Sequence, residues 1–312
     1  MILRTKCVMK HSWQGVFPAV TTQLQKDQSL DLDRTARHIE ALIDSGVSGL
    51  MMLGSLGENV VLSRTEKLAV MRAAIEAADG RVPVLSGVAE CSTAAAIEYT
   101  RELERAGADG IMLLLAMIYK ADARETLGHY KSVARSTGLP IICYNNPLAY
   151  SVDITPAMFE QLAPIKNFVA IKESSGDVRR VTDLINLLGD RFTLFCGVDD
   201  LVLESALLGA RGWIAGVGLA FPAENQRLWE LAVAGDWTRA RTLYRWFMPL
   251  LHLDIPVKFV QYIKLAVQET GFGREWVRAP RLILQGAERA RILKIIHQGM
   301  ATRPKIPKTS RR

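Results

Sequence analysis

The chain has 312 residues, enough for one large domain or two average ones around a generous apolar core. With 49% hydrophobic and 23% charged residues it has the balance of a soluble globular protein, and no apolar run approaches the ~18 residues of a membrane span. The net charge of +7 suggests nucleic acid only until it is located. Arg303, Lys305, Lys308, Arg311 and Arg312 crowd residues 301–312, which hold no acid, so the rest of the chain is close to neutral and nucleic acid is rejected as the main partner.

Residues 1–10 scatter charges and lack a signal-peptide core, so the cytoplasm is the expected location. Beyond them, short apolar runs alternate with amphipathic stretches. The patterning predicts strands at 15–21, 49–53, 83–87, 110–114, 140–144, 168–172, 192–197 and 212–216. Helices are predicted at 32–44, 63–78, 92–106, 123–137, 155–162, 178–188, 201–208 and 222–234, the second opened by the capping box Ser63-Arg64-Thr65-Glu66. Eight strand–helix units without a long linker count out a (β/α)8 TIM barrel over residues 1–234. A doubly wound sheet would need a glycine-rich first turn, which is absent. Three further helices, at 236–252, 255–270 and 281–297, are rich in Trp, Leu and Ile. They are expected to form a C-terminal three-helix appendage (235–300) packed on the barrel, followed by a basic disordered tail (301–312).

Chemistry in such a barrel belongs at the C-terminal ends of the strands. Gly54-Ser55-Leu56-Gly57-Glu58-Asn59 follows the second strand, where two glycines let backbone N–H groups face a carboxylate and Ser55 adds a hydroxyl. Tyr144-Asn145-Asn146-Pro147 ends the fifth strand and offers a phenol as proton shuttle, with a pKa lowered by a neighbouring lysine. The sixth strand breaks from Val169-Ala170-Ile171 into Lys172-Glu173-Ser174-Ser175-Gly176-Asp177. A lysine buried there loses its charge readily and becomes a nucleophile toward carbonyl or imine carbon; a lysine that only snorkels to water is the alternative. Cys7, Cys91, Cys143 and Cys196 form no CxxC pair, and His11, His38, His129, His252 and His297 give no zinc spacing. No metal and no cofactor are expected.

These three strings, in this order and spacing across residues 13–297, resemble the dihydrodipicolinate synthase/N-acetylneuraminate lyase family. The resemblance implies a TIM barrel, assembled as a homotetramer or homodimer, that takes a small 2-oxo or imino acid as a covalent Schiff base on Lys172. It implies Tyr144 as proton shuttle, Ser55 in the relay, Leu56 and Gly57 at the substrate carboxylate, and Gly197 and Ile214 lining the lysine pocket. Synthases of the family carry two threonines in the strand-two loop and an arginine two residues past the Tyr-Asn-x-Pro proline. This chain has Ser55-Leu56 and Ala149 at those positions. The strings at 15–23, 57–59, 144–147 and 247–254 (Phe-Met-Pro-Leu-Leu-His-Leu-Asp) resemble more closely the 1-pyrroline-4-hydroxy-2-carboxylate deaminase subgroup of hydroxyproline catabolism.

Three other readings stay open: a dihydrodipicolinate synthase, a 2-keto-3-deoxy sugar acid dehydratase or aldolase, and a non-catalytic small-molecule-binding barrel. A sugar acid needs several polar partners, and both Ala116-Met117-Ile118 and Leu148-Ala149 are apolar. Gly216-Val217-Gly218 has no basic neighbour to make a phosphate site. Glu58 is expected to orient its loop, Asp177 to cap a helix, and His38, His129 and His252 to be structural.

Overall fold

The structure is a computed structural model and describes residues 13–115 and 119–306. The expectations that fall on residues 1–12, on the loop 116–118 and on 307–312 lie outside the described residues. Eight strands form one all-parallel sheet: β1 (Gly15–Val16), β2 (Leu50–Met52), β3 (Val84–Val88), β4 (Gly110–Leu113), β5 (Ile141–Asn145), β6 (Phe168–Glu173), β7 (Thr193–Cys196) and β8 (Gly212–Trp213). Their order is β1-β8-β7-β6-β5-β4-β3-β2. The seam between β1 and β2 closes through a parallel bridge between Ala19 and Met51. There Ser48 N–H donates to Val16 O (2.8 Å), Met51 N–H to Pro18 O (3.0 Å) and Val20 N–H to Met51 O (2.9 Å). The predicted (β/α)8 barrel is therefore present. β1 is shorter than the expected 15–21 because Pro18 has no N–H to offer the ladder.

Helices follow the strands: α1 (Leu32–Asp44), α2 (Arg64–Ala78), α3 (Thr93–Ala106), α4 (Ala123–Arg135), a one-turn α5 (Pro147–Tyr150), α6 (Pro156–Leu162), α7 (Arg179–Leu188), α8 (Val202–Leu207) and α9 (Pro222–Val233). Their starts are dictated locally. Ser63 accepts from Glu66 N–H and the Glu66 carboxylate accepts from Ser63 N–H, the expected box; Asp122 and Glu125 repeat it at α4. Along α1, Thr35, His38, Ile39, Leu42 and Ile43 are the buried positions, a single helical face against the sheet.

Three glycines at strand starts admit large rings into the N-terminal end of the barrel. A Cβ on Gly49 or Gly212 would fall onto the ring of Phe17 or Phe195, and one on Gly110 onto Trp13. The Phe17 and Phe195 rings meet edge to face with centroids 5.4 Å apart, and Trp13 packs on Phe17 at 6.4 Å. This end of the barrel is a packed aromatic floor.

The appendage comprises α10 (Trp237–Leu251), α11 (Phe259–Glu269) and α12 (Gly286–Ala301). Phe247, Leu250, Ile263, Ile292 and Ile296 are buried in the same continuous core as the barrel residues. The expected tail from 301 is anchored at its start. Ala301 still belongs to α12, and Arg303 makes an ion pair with Glu224, Nε to Oε1 2.5 Å, because that acid on α9 is otherwise buried. No described helix is long and apolar enough to cross a membrane.

Candidate active site

β6 ends with Lys172 beside Tyr144 on β5 and Phe195 on β7, so register alone puts amine and phenol on one face. Gly197, just past β7, makes the room: a Cβ there would lie 2.6 Å from Lys172 Cε and 2.8 Å from Cγ. Lys172 is 7% exposed, and its Nζ sits 4.1 Å from the centroid of the Tyr144 ring. Among the described residues it has no hydrogen bond or ion pair. Burial lowers its pKa, and Asp254, Tyr150, Asp199 and Cys196, the groups whose charge opposes that, do not cancel it. The shift is toward the neutral amine, the form that attacks carbon.

The Tyr144 hydroxyl accepts from Asn146 Nδ2 at 3.0 Å. The expectation that lysine lowers this phenol is corrected by the structure. Burial pushes Tyr144 up to about 12, with the Asn146 hydrogen bond only partly offsetting it. Tyr150, at the end of α5, meets the Tyr144 ring edge to face at 5.8 Å and is hydrogen-bonded through its hydroxyl to Ser55 Oγ. The Ser55–Tyr150 hydroxyl pair thus stands beside the Tyr144 ring. Tyr150 escaped the sequence reading; the signal was Pro147 at the first position of a helical turn, which brings the side chain three residues on back over the strand end.

The loop carrying Ser55, Leu56 and Gly57 is built to hold its own backbone open. Leu53 and Glu58 adopt left-handed φ values of 52° and 57°. A Cβ on Gly57 would come within 2.8 Å of Leu53 Cα, so only glycine fits. Thr22 Oγ1 donates to Gly57 O at 2.7 Å, and Asn59 Nδ2 donates to Leu53 O at 2.9 Å. Among the described residues, the N–H groups of Ser55, Leu56 and Gly57 have no partner, the arrangement that accepts a carboxylate. Glu58 does orient the loop. It is fully buried, accepting from Lys264 Nζ of α11 (2.5 Å) and from Arg278 N–H (2.9 Å).

Past β7 and β8 the site turns acidic. Ile214 is buried with its N–H on Cys196 O (2.9 Å). Asp199 accepts from Trp213 Nε1 (2.9 Å), Gly216 N–H (3.1 Å) and Val217 N–H (2.7 Å). Gly216 and Val217 thus spend their N–H groups on a carboxylate. Burial raises Asp199 to about 6. Asp254 reaches over from the appendage, its carboxyl group filling the space a Cβ on Gly216 would need, with Cγ 2.8 Å from that position. Neither aspartate was singled out from the sequence, although Asp254 closes the 247–254 string that carried the subgroup resemblance.

The remaining expectations fall into place around this centre. Asp177 accepts from Arg179 N–H at the start of α7 (3.1 Å). His38 is buried on Leu219 O, His129 bonds Thr93 Oγ1, and His252 pairs with Asp200. Tyr119 is exposed on the surface of the chain. No group of three or more His, Cys, Asp or Glu side chains able to hold a metal occurs among the described residues.

The profile of the dihydrodipicolinate synthetase family matches residues 12–299. A 4-hydroxy-tetrahydrodipicolinate synthase of Methanothrix thermoacetophila is 35% identical over 253 residues, 79% of this chain and 85% of that protein. One from Sorangium cellulosum is 38% identical over 232 residues, 74% of this chain and 77% of that protein. Among solved structures, the 4-hydroxy-tetrahydrodipicolinate synthase of Methylacidiphilum fumariolicum SolV superposes with a TM-score of 0.89 at 28% identity, covering 93% of this chain and 96% of that one. A prophage protein of E. coli K12 in complex with pyruvate, described as belonging to the same family, superposes at 0.86 with 31% identity, covering 93% and 99%.

Proposed function

The chain belongs to the dihydrodipicolinate synthetase family of Schiff-base lyases, and on that premise we propose that its reaction is the deamination of 1-pyrroline-4-hydroxy-2-carboxylate to 2-oxoglutarate semialdehyde and ammonia. The observation that carries the Schiff-base chemistry is Lys172, an unpaired buried amine seated beside Tyr144 by the gap at Gly197. What favours a substrate with a single carboxylate is the polar inventory. The strand-two loop offers free N–H groups at one end, while Leu148 and Ala149 on α5 offer no charge for a second carboxylate.

In this reaction Lys172 adds to the imine carbon C2, and the C2–N bond of the ring breaks to leave an open-chain amine on C5. The lysine iminium acidifies C3–H. Loss of that proton gives an enamine, whose electron pair forms the C3–C4 double bond as the C4 hydroxyl departs as water. Proton transfer from C5 then places an imine at C5; water hydrolyses it to the aldehyde and ammonia, and a second water frees the product from Lys172. One water is consumed overall. Tyr144 is the proton carrier at C3, with Ser55 and Tyr150 as its outward relay; Leu56 and Gly57 hold the carboxylate, and Gly197 and Ile214 bound the pocket.

The identity to proteins named 4-hydroxy-tetrahydrodipicolinate synthase supports a second reading, condensation of pyruvate with aspartate semialdehyde. Parallel assays separate the two. Turnover of the pyrroline alone, lost in Lys172→Ala, is the expected result; turnover only of pyruvate plus aspartate semialdehyde would replace it with the second reading. Borohydride treatment with pyruvate should add the mass of the reduced adduct at Lys172, whereas a purely binding barrel would gain none.

A further inference from the structure

Asp254 is a carboxyl group that the appendage brings against the barrel past β8. It closes the short 3-10 turn His252–Asp254 after α10. That turn is held from outside the site: His252 Nδ1 bonds Asp200 Oδ2 at 2.8 Å, and the Tyr244 hydroxyl on α10 lies within hydrogen-bond reach of both Asp200 O and Glu204. The carboxyl itself has no hydrogen-bond donor among the described residues, although it presses against the end of β8 where Gly216 leaves it space. Its charged neighbours are Lys172 on β6 and the two aspartates after β7, Asp199 and Asp200. Asp199 is saturated by three donors, from Trp213, Gly216 and Val217, and has no proton to move without breaking them. Asp254 has no such engagement.

An unpaired carboxyl group seated against Gly216 past β8, with Lys172 among its charged neighbours, has a use in the reaction above. Hydroxide is a poor leaving group and needs a proton as the C4–O bond breaks. Tyr144 is placed at C3, and a separate acid at C4 spares it from moving between the two ends of the elimination. We propose that Asp254 is the general acid that protonates the departing C4 hydroxyl. This assignment rests on the deaminase reading and deepens it. In the step, the Asp254 proton passes to the C4 oxygen, the C4–O electron pair leaves with water, and the enamine pair becomes the C3–C4 double bond. The resulting carboxylate faces the reformed Lys172 iminium and takes the C5 proton during isomerisation, which restores the acid. Burial and the adjacent Asp199 raise the Asp254 pKa well above the ordinary carboxylate range against the opposing charge of Lys172, a shift toward the protonated form that a general acid needs.

The test compares wild type, Asp254→Asn and Asp254→Ala. Pyruvate trapping by borohydride on Lys172 checks that the site is intact, and pyrroline turnover and the mass of the trapped pyrroline adduct check the acid. Asp254→Asn should lose ~100-fold or more in pyrroline turnover while trapping pyruvate as the wild type does. Its trapped pyrroline adduct should retain the C4 oxygen that wild type has already lost. Added formate should restore part of the activity to Asp254→Ala, a response that a merely structural residue would not give. Wild-type turnover matched by Asp254→Asn, or a variant that folds but no longer traps pyruvate, overturns the assignment of Asp254 alone. A wild-type enzyme that traps pyruvate yet ignores the pyrroline overturns the substrate reading and the assignment together.

Discussion

Two lysines of this chain are buried almost equally and differ in company. Lys264, on α11, is fully buried and donates to Glu58 (2.5 Å) and to Trp276 O (2.6 Å), tying the appendage to the strand-two loop. Lys172 is buried at the end of β6 with an aromatic face beneath it and no acceptor. Burial lowers both pKa values, but at Lys264 the charge and hydrogen bond of Glu58 push back, whereas Lys172 has only more distant acids. The difference is one of use. A buried ion pair holds two elements in one arrangement, while a buried amine without a partner keeps its lone pair free for chemistry.

The comparison can be broken most sharply at Lys172. Lys172→Met should fold and yet lose turnover and borohydride trapping entirely, as read by mass spectrometry. In the wild-type chain, the trapping rate against pH should show its midpoint below 10.5, the ordinary lysine value; a midpoint at or above it would mean that burial does not govern the amine. A subtler intrusion is Gly197→Ala, whose methyl would occupy the path of the lysine side chain. Displacing the amine by about 1 Å should cost ~100-fold in kcat/KM with little change in melting temperature. Lys264→Met should do the reverse, leaving Glu58 buried without its cation. The expected loss is about 3–5 kcal/mol in urea unfolding, toward the lower end because Arg281 stands 3.8 Å from the same carboxylate. Adding Glu58→Gln to that variant should recover part of it.

A smaller effect separates buried charge from buried neutrality elsewhere in the barrel. His38 donates from Nε2 to Leu219 O and stacks on Phe272, and burial holds its pKa down at about 4 against an ordinary 6.5. Folding therefore favours the neutral ring. That stability is complete above pH 6.5 and is lost as pH falls through 4, roughly 3 kcal/mol in all. Asp199 runs the other way, its raised pKa of about 6 giving a contribution present below 3.8 and lost as pH rises past 6. The difference between wild type and His38→Asn, measured by denaturation at pH 7 and pH 4, isolates the histidine.

Much of this was legible in the chain itself. The break from Ile171 to Lys172 marks a strand end because apolar periodicity stops there, and barrel geometry makes every strand end a place for chemistry. The loop at 54–59 and Tyr144 follow from the same local logic. What was not legible arises from contacts between residues distant in sequence. Asp199 was one of two adjacent acids with no motif until the turn after β8 donated its N–H groups. Asp254 sits in the appendage, and nothing in its neighbours states that they meet Gly216. The direction of the Tyr144 shift was misjudged because it depends on whether burial or a nearby charge dominates, and burial is set by the packing of the whole mouth.

The aromatic floor has a kinetic meaning. With Trp13, Phe17 and Phe195 packed across the N-terminal end, the barrel among the described residues is a cup that opens at its C-terminal rim. Reactant and product share the rim above Lys172, so product must leave before the next reactant enters. Accumulated product should therefore compete for the vacant enzyme, raising the apparent KM and leaving the maximal rate untouched.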